Sequence, residues 1–181
     1  MERNLSLVAM FAALIAVLGL VPPVNLGFGV PISAQTLGVM LAGTVLGARR
    51  GTLAVLLLIF LVLLGLPLLA GGRGGLGVLA GPTVGFFLGW PFAAFVTGLI
   101  TERLSRLHVG VAAAIGSVLG GIVVLYVCGI TGMAIVLGRS WIEAAGLSVA
   151  FVPGDILKAV LAGMLTTILY RARPRSVLSR A

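Results

Sequence analysis

Charged side chains fall in a few short clusters, and the stretches between them are long and apolar. No charge occurs from Asn4 to Ala48, about twice the length that one bilayer-spanning helix requires. Pro22, Pro23, Gly27, Gly29 and Pro31 divide that run. The pattern predicts a helix over 5–21, a bent connection, and a second helix over 33–48 that is short for a bilayer at about 1.5 Å per residue. Arg49-Arg50-Gly51 predicts a tight charged turn, followed by a Leu-rich span over 52–66 that Pro67 stops. Residues 67–82 hold Gly71, Gly72, Gly74, Gly75, Gly77 and Gly81 and read as a glycine loop. Further spans follow over 83–101, 109–137 and 149–170, joined by the polar turn Glu102–His108 and by Gly138–Gly146. The long fifth span either kinks near Gly120 and Gly121 or projects beyond the bilayer.

Composition fixes the class. Of 181 residues, 60% are hydrophobic and 9% charged, against about 25% charged in soluble domains. The chain reads as an all-α integral membrane protein, one membrane domain over 1–181 with six transmembrane helices. A secretory leader is the competing reading of the first span, but uninterrupted hydrophobicity follows it and no convincing small-residue cleavage site does, so a helix is expected. The net charge of +8 would suggest nucleic acid in a soluble protein, but here the arginines flank apolar runs and report topology. Arg3, Arg49, Arg50, Arg103, Arg106, Arg171, Arg173, Arg175 and Arg180 share one side of a six-span chain, while Arg73 and Arg139 lie opposite. The positive-inside rule then places both termini in the cytoplasm and the glycine loop outside. Cys128, the lone cysteine, fits packing, and His108 fits a charged flank; no metal or cofactor site is expected.

Against this background one stretch is anomalous. Phe151 to Lys158 holds the only Asp and the only Lys of the chain. Each charge costs roughly 2.5–3.5 kcal/mol at the centre of a membrane helix, so the Asp155–Lys158 pair needs a reason. By helical rise the two lie roughly 9 and 13 Å below the outer end of the sixth span. They share a face with Ala159, Ala162 and Thr166, while Ile156, Leu157, Val160, Leu161, Leu165 and Leu169 cover the rest. Two readings stand: an ion pair that fixes this helix in the bundle, or a ligand site. Gly71 to Gly77 either let backbone amides approach a ligand closely or make an ordinary flexible turn, and Arg73 either guides an anion inward or stays solvated. Gln35 and Thr36, at the outer end of the second helix, are weaker polar candidates. Phe86, Trp90, Tyr126 and Trp141 are candidates for an apolar lining, although the interface belt or general packing explains each of them more readily.

Small-residue ladders, Gly81-Gly85-Gly89 and Gly43-Gly47, suit close helix packing in lipid. Ala9 and Ala13 of the first span suit either internal packing or docking of a partner. No nucleophile lies near a base and no ATP-binding motif occurs, so any driven transport must borrow its motor.

Four ordered stretches carry a resemblance. They are Pro31-Ile32-Ser33-Ala34-Gln35-Thr36-Leu37-Gly38 with Leu46-Gly47-Ala48-Arg49-Arg50-Gly51, then Gly65-Leu66-Pro67 through Ala70-Gly71-Gly72, then Gly81-Pro82-Thr83, and finally Pro153-Gly154-Asp155-Ile156-Leu157-Lys158. On these the chain resembles the BioY family, the biotin-binding S components of energy-coupling factor (ECF) transporters. Val84-Gly85-Phe86 departs from the family's usual two glycines and tyrosine, so Phe86 brings no hydroxyl. The resemblance implies a six-helix, non-enzymatic subunit of a prokaryotic cytoplasmic (inner) membrane, working with a transmembrane coupling protein and two cytoplasmic ATPases. It implies docking to the coupling protein through Ala9 and Ala13. It implies biotin as substrate, with Asp155 taking ureido N–H bonds, Lys158 orienting Asp155 or donating to the ligand, and Arg73 with the amides of Gly71, Gly72 and Gly74 meeting the carboxylate. Gln35, Thr36, Trp90 and Phe86 complete the expected contacts. Competing expectations are an S component for thiamin or riboflavin, a structural subunit without ligand, and an intramembrane enzyme.

Overall fold

The structure is a computed structural model describing residues 2–22, 24–25 and 31–180. Pro23, Gly27 and Gly29 of the expected connection lie outside the described residues. The helices are α1 (Glu2–Leu18), α2 (Gln35–Leu46), α3 (Ala48–Leu63), α4 (Val84–Arg103), α5 (Val109–Val118), α6 (Leu125–Leu137), α7 (Trp141–Ser148) and α8 (Val152–Ala172). A two-residue antiparallel pair, β1 (Val24–Asn25) with β2 (Pro31–Ile32), leads into α2.

Three runs are long and apolar enough to cross a membrane: Val84–Arg103, Val109–Leu137 and Trp141–Ala172. With the shorter α1, α2 and α3 they make six rods. α4 is central, packing on α2, α3, α5 and α6, and α8 lies along α2 and α5. The buried core draws on Ile15, Val39, Leu46, Val55, Leu58 and Val62, whereas Met10, Phe60, Phe92, Val127, Leu157 and Ile168 face outward. Apolar residues both inside and outside are what a lipid solvent permits. The chain is an integral membrane protein.

Local chemistry explains where the elements break. The α2–α3 turn is Gly47 alone, at φ +83°; Arg49 and Arg50 stand in the first turn of α3 rather than in the turn itself. Glu102 of α4 caps α3 by accepting from the Ala48 N–H at 2.9 Å, a carboxylate where a helix start favours negative charge. The expected irregularity at Gly120 and Gly121 takes the form of a π-helical segment, Leu119–Val124, between α5 and α6. Much of the expected Gly138–Gly146 connection is the helix α7. Its start is a capping box in which Ser140 and Glu143 satisfy each other's backbone. A 3-10 turn over Val149–Phe151 follows, with Pro153 at the entry of α8, where its missing N–H costs nothing.

The α4–α6 contact is backbone on backbone. A Cβ on Gly85 would stand 2.8 Å from Gly132 Cα, and one on Gly132 would stand 2.5 Å from Gly85 Cα. Cys128 packs its Cβ against Gly89 in the same seam. Gly81 takes no part in this ladder; a Cβ there would meet only Val78 O, at 3.7 Å.

Gly85→Val should therefore separate α4 from α6 and lower stability by about 1–3 kcal/mol or more, read as a lower melting midpoint in detergent. Gly146→Ala, inside α7 where a Cβ meets nothing within 4 Å, should leave the midpoint equal or slightly higher, since alanine is the better helix former.

Candidate substrate-binding site

Asp155 lies in the first turn of α8, because the 3-10 turn interrupts the helix just before it. A carboxylate there gains about 0.3–1 kcal/mol, or up to ~2 when partly buried, from the helix N-terminus. Lys158 Nζ sits 2.9 Å from Asp155 Oδ1, with side-chain exposures of 13% and 7%. Both groups are withdrawn from water, so the pair survives only with its remaining valences filled. Lys158 also donates to Thr36 Oγ1 at 2.9 Å, and Thr36 donates to Asp155 Oδ1 at 3.3 Å, closing a triangle between α8 and α2. Tyr126 of α6 donates its hydroxyl to Asp155 Oδ2 at 2.8 Å.

Asp155, Lys158 and Thr36 of this network line a cavity. Arg73 and Thr83 add polar groups to its lining, and Phe86, Phe87, Trp90, Leu125 and Phe151 supply apolar ones. Its atom-free space is about 650 Å³, and the centre of a water-sized sphere reaches about 80 Å³. Phe86 packs edge-on against Tyr126 and Phe151, with centroids 5.8 and 6.2 Å apart. Trp90 is buried, and its Nε1–H has no partner among the described residues. A buried donor left unpaired costs about 1–3 kcal/mol, so Trp90 offers the cavity a hydrogen bond that the fold does not use.

Seven of the expected residues thus meet at one cavity: Gln35, Thr36, Arg73, Phe86, Trp90, Asp155 and Lys158. Gln35, however, is fully engaged with backbone. Its Nε2 donates to Ile15 O at 3.2 Å and Leu68 O at 3.0 Å, and its Oε1 accepts from the Ala70 N–H at 2.9 Å. It holds the glycine loop to α1 and α2 and has little left for a ligand. Gly71, Gly72 and Gly74 are absent from the cavity lining. Gly71 and Gly72, at φ +78° and +70°, make the reversal that lets Leu69 pair with Arg73. The Gly72 and Arg73 amides both donate to Leu69 O, at 2.9 and 3.3 Å. Of the three expected anion-binding amides, that of Gly72 is therefore committed to the turn, and the turn presents Arg73. That guanidinium donates to Ala70 O at 3.2 Å and Thr83 Oγ1 at 3.4 Å, using two of its five N–H groups.

Comparison with known proteins now bears on this arrangement. The BioY family profile matches residues 2–175. The chain belongs to the BioY family. It is 52% identical to "Biotin transporter BioY" of Rhodobacter capsulatus, over 99% of this chain and 100% of the relative. It is 55% identical to "Biotin transporter BioY" of Rhizobium etli, over 90% of each. A crystal structure of the S-component for biotin from an ECF-type ABC transporter superposes with a TM-score of 0.88 at 30% identity, covering 94% of this chain and 92% of that one. The fold is that of an ECF S component.

Within this BioY chain, sequence reasoning missed Phe151, Leu125 and Thr83 as lining residues and the Tyr126 bond to Asp155. Only Thr83 carried a signal, in Gly81-Pro82-Thr83. Trp141 is not part of the cavity lining: it is half exposed, and its Nε1 donates to Thr131 at 3.4 Å, in keeping with the interface-belt reading. Ala9 and Ala13 lie on the exposed side of α1, whereas Ala12 is buried.

Gln35→Leu should strand the Ala70 N–H and release the loop, speeding amide exchange across Ala70–Arg73 in hydrogen–deuterium exchange. Thr36→Val should leave that segment unchanged.

Proposed function

We propose that the chain is the biotin-binding S component of a vitamin uptake transporter in a prokaryotic cytoplasmic membrane. The arginine-rich end faces the cytoplasm and the cavity opens outward. The observation that carries this reading is the unused hydrogen-bonding capacity of the Asp155–Lys158–Thr36 triangle.

An ionised carboxylate has about four acceptor positions and an ammonium three donors. Asp155 receives Lys158, Thr36 and Tyr126, and Lys158 gives to Asp155 and Thr36. One acceptor position, on Asp155 Oδ2, and one Lys158 donor remain. A ureido edge presents the complement, an N–H beside a C=O, so one ring binds both residues without breaking the ion pair. The thiophane ring is apolar and suits Phe86, Phe151 and Leu125. The Trp90 Nε1–H supplies a further donor, and the free N–H groups of Arg73 receive the carboxylate.

Transport is energised elsewhere, by a transmembrane coupling protein and two cytoplasmic ATPases. The exposed Ala9 and Ala13 of α1 give the coupling protein a flat surface on which helices approach closely.

Equilibrium binding of tritiated biotin to purified protein tests the site. Asp155→Asn and Lys158→Met should each weaken binding about ten- to a hundredfold, as expected for hydrogen bonds to charged groups. Thiamin and riboflavin should not compete. Unchanged biotin affinity in both variants would refute the assignment.

A further inference from the structure

The arginine-rich end holds a second cavity, far wider than the first: water-sized centres reach about 820 Å³ there. Arg50 of α3, Arg171 of α8 and Arg180 of the tail line it, with His108 beside them, and Glu102 is the one acid among its lining residues. Glu102 is committed to capping Ala48. Arg180 reaches the cavity because the tail folds back: Val177, Leu178 and Ser179 are buried, and the Ser179 hydroxyl donates to Thr44 O.

The Nε and Nη2 of Arg180 are buried without a partner among the described residues. Burial works against this charge and pulls the guanidinium pKa below its ordinary value. A tail that tucks in an unpaired cation loses free energy unless an anion meets it. Arg50 and Glu102 also line a neighbouring groove between α1, α3 and α4, walled by Leu5, Leu53, Leu57 and Phe95. Phe95 stands about 10 Å along α4 from Glu102, so the groove runs from the basic cavity into the apolar band. Leu5, Leu53 and Phe95 are exposed along it.

We propose that this end of the bundle binds an anionic phospholipid, its phosphodiester on Arg50, Arg171 and Arg180 and an acyl chain in the groove. Basic pockets between membrane helices on the cytoplasmic side are suited to such headgroups. The continuity of cavity and groove selects a lipid over a soluble phosphate ester.

The test uses full-length protein in neutral detergent, titrated with short-chain phosphatidylglycerol, phosphatidylcholine or glycerol phosphate, and read by melting midpoint and by native mass spectrometry. Phosphatidylglycerol should raise the midpoint and leave a one-to-one adduct, with at least tenfold weaker response to phosphatidylcholine. Arg180→Met, which keeps the packing stem, should abolish the lipid response while leaving the lipid-free midpoint equal or higher. Arg50→Gln should weaken the response at least fivefold and decides the matter should Arg180→Met fail to fold. Equal stabilisation by phosphatidylcholine, an unchanged response in the variants, or a lower lipid-free midpoint for folded Arg180→Met would overturn the proposal. Glycerol phosphate matching phosphatidylglycerol would overturn the lipid occupant.

Discussion

The bundle depends on one buried ion pair. Asp155 and Lys158 are nearly withdrawn from water, and in hydrocarbon such a pair is tolerated only when neighbouring groups complete its hydrogen bonds. Thr36 and Tyr126 do so from α2 and α6. Three helices that are distant in sequence are thereby held to one carboxylate. The break before α8 belongs to the same solution, since it puts Asp155 in a first helical turn rather than in a helix interior. Below the pair, α8 turns Ala159, Ala162 and Thr166 inward, and Thr166 meets Thr44 at 2.9 Å. The polar stripe is thus a continuous seam between α8 and α2.

Around this pair the site has two further parts. Aromatic edges from Phe86, Tyr126 and Phe151 interlock, and the Gly85–Gly132 contact brings α4 and α6 together. The glycine loop is tied by Gln35, whose amide reaches Ile15, Leu68 and Ala70, by the Gly75 N–H on Val62 O, and by the buried Leu69 and Ala70. In the proposed reading the Asp155–Lys158 side recognises the ureido ring and the loop presents Arg73 to the carboxylate. One polar side chain, Gln35, links that loop to Ile15 of α1, the helix whose exposed side bears Ala9 and Ala13.

The anomaly at Asp155 and Lys158 was legible in the sequence because charge in an apolar run is rare and costly. Its inward face followed from helical spacing, as did most of the helical rods from the apolar runs. Three features were less accessible. The helix α7 was signalled by Ser140 and Glu143 at capping-box spacing, but glycines at both ends suggested a connection. The role of Gln35 is tertiary: nothing local distinguishes a glutamine that binds ligand from one that binds Ile15, Leu68 and Ala70. Tyr126 meets Asp155 across 29 residues and a π-helical turn, and no periodicity pairs them. Glycine freedom in φ fits amides open to a ligand and an ordinary turn equally well, and at Gly71 and Gly72 it serves the reversal that presents Arg73.

The central claim is that the Asp155 carboxylate takes a ureido N–H while remaining paired to Lys158. A ligand–protein double cycle addresses it directly, comparing biotin with a ureido N-methylated biotin on the wild type and on Asp155→Asn by equilibrium binding. If Asp155 accepts that N–H, methylation costs the wild type at least tenfold in affinity and the variant much less, a coupling of about 1 kcal/mol or more. The same loss in both proteins would mean that Asp155 does not touch the ureido nitrogen, and that the buried pair serves the bundle alone.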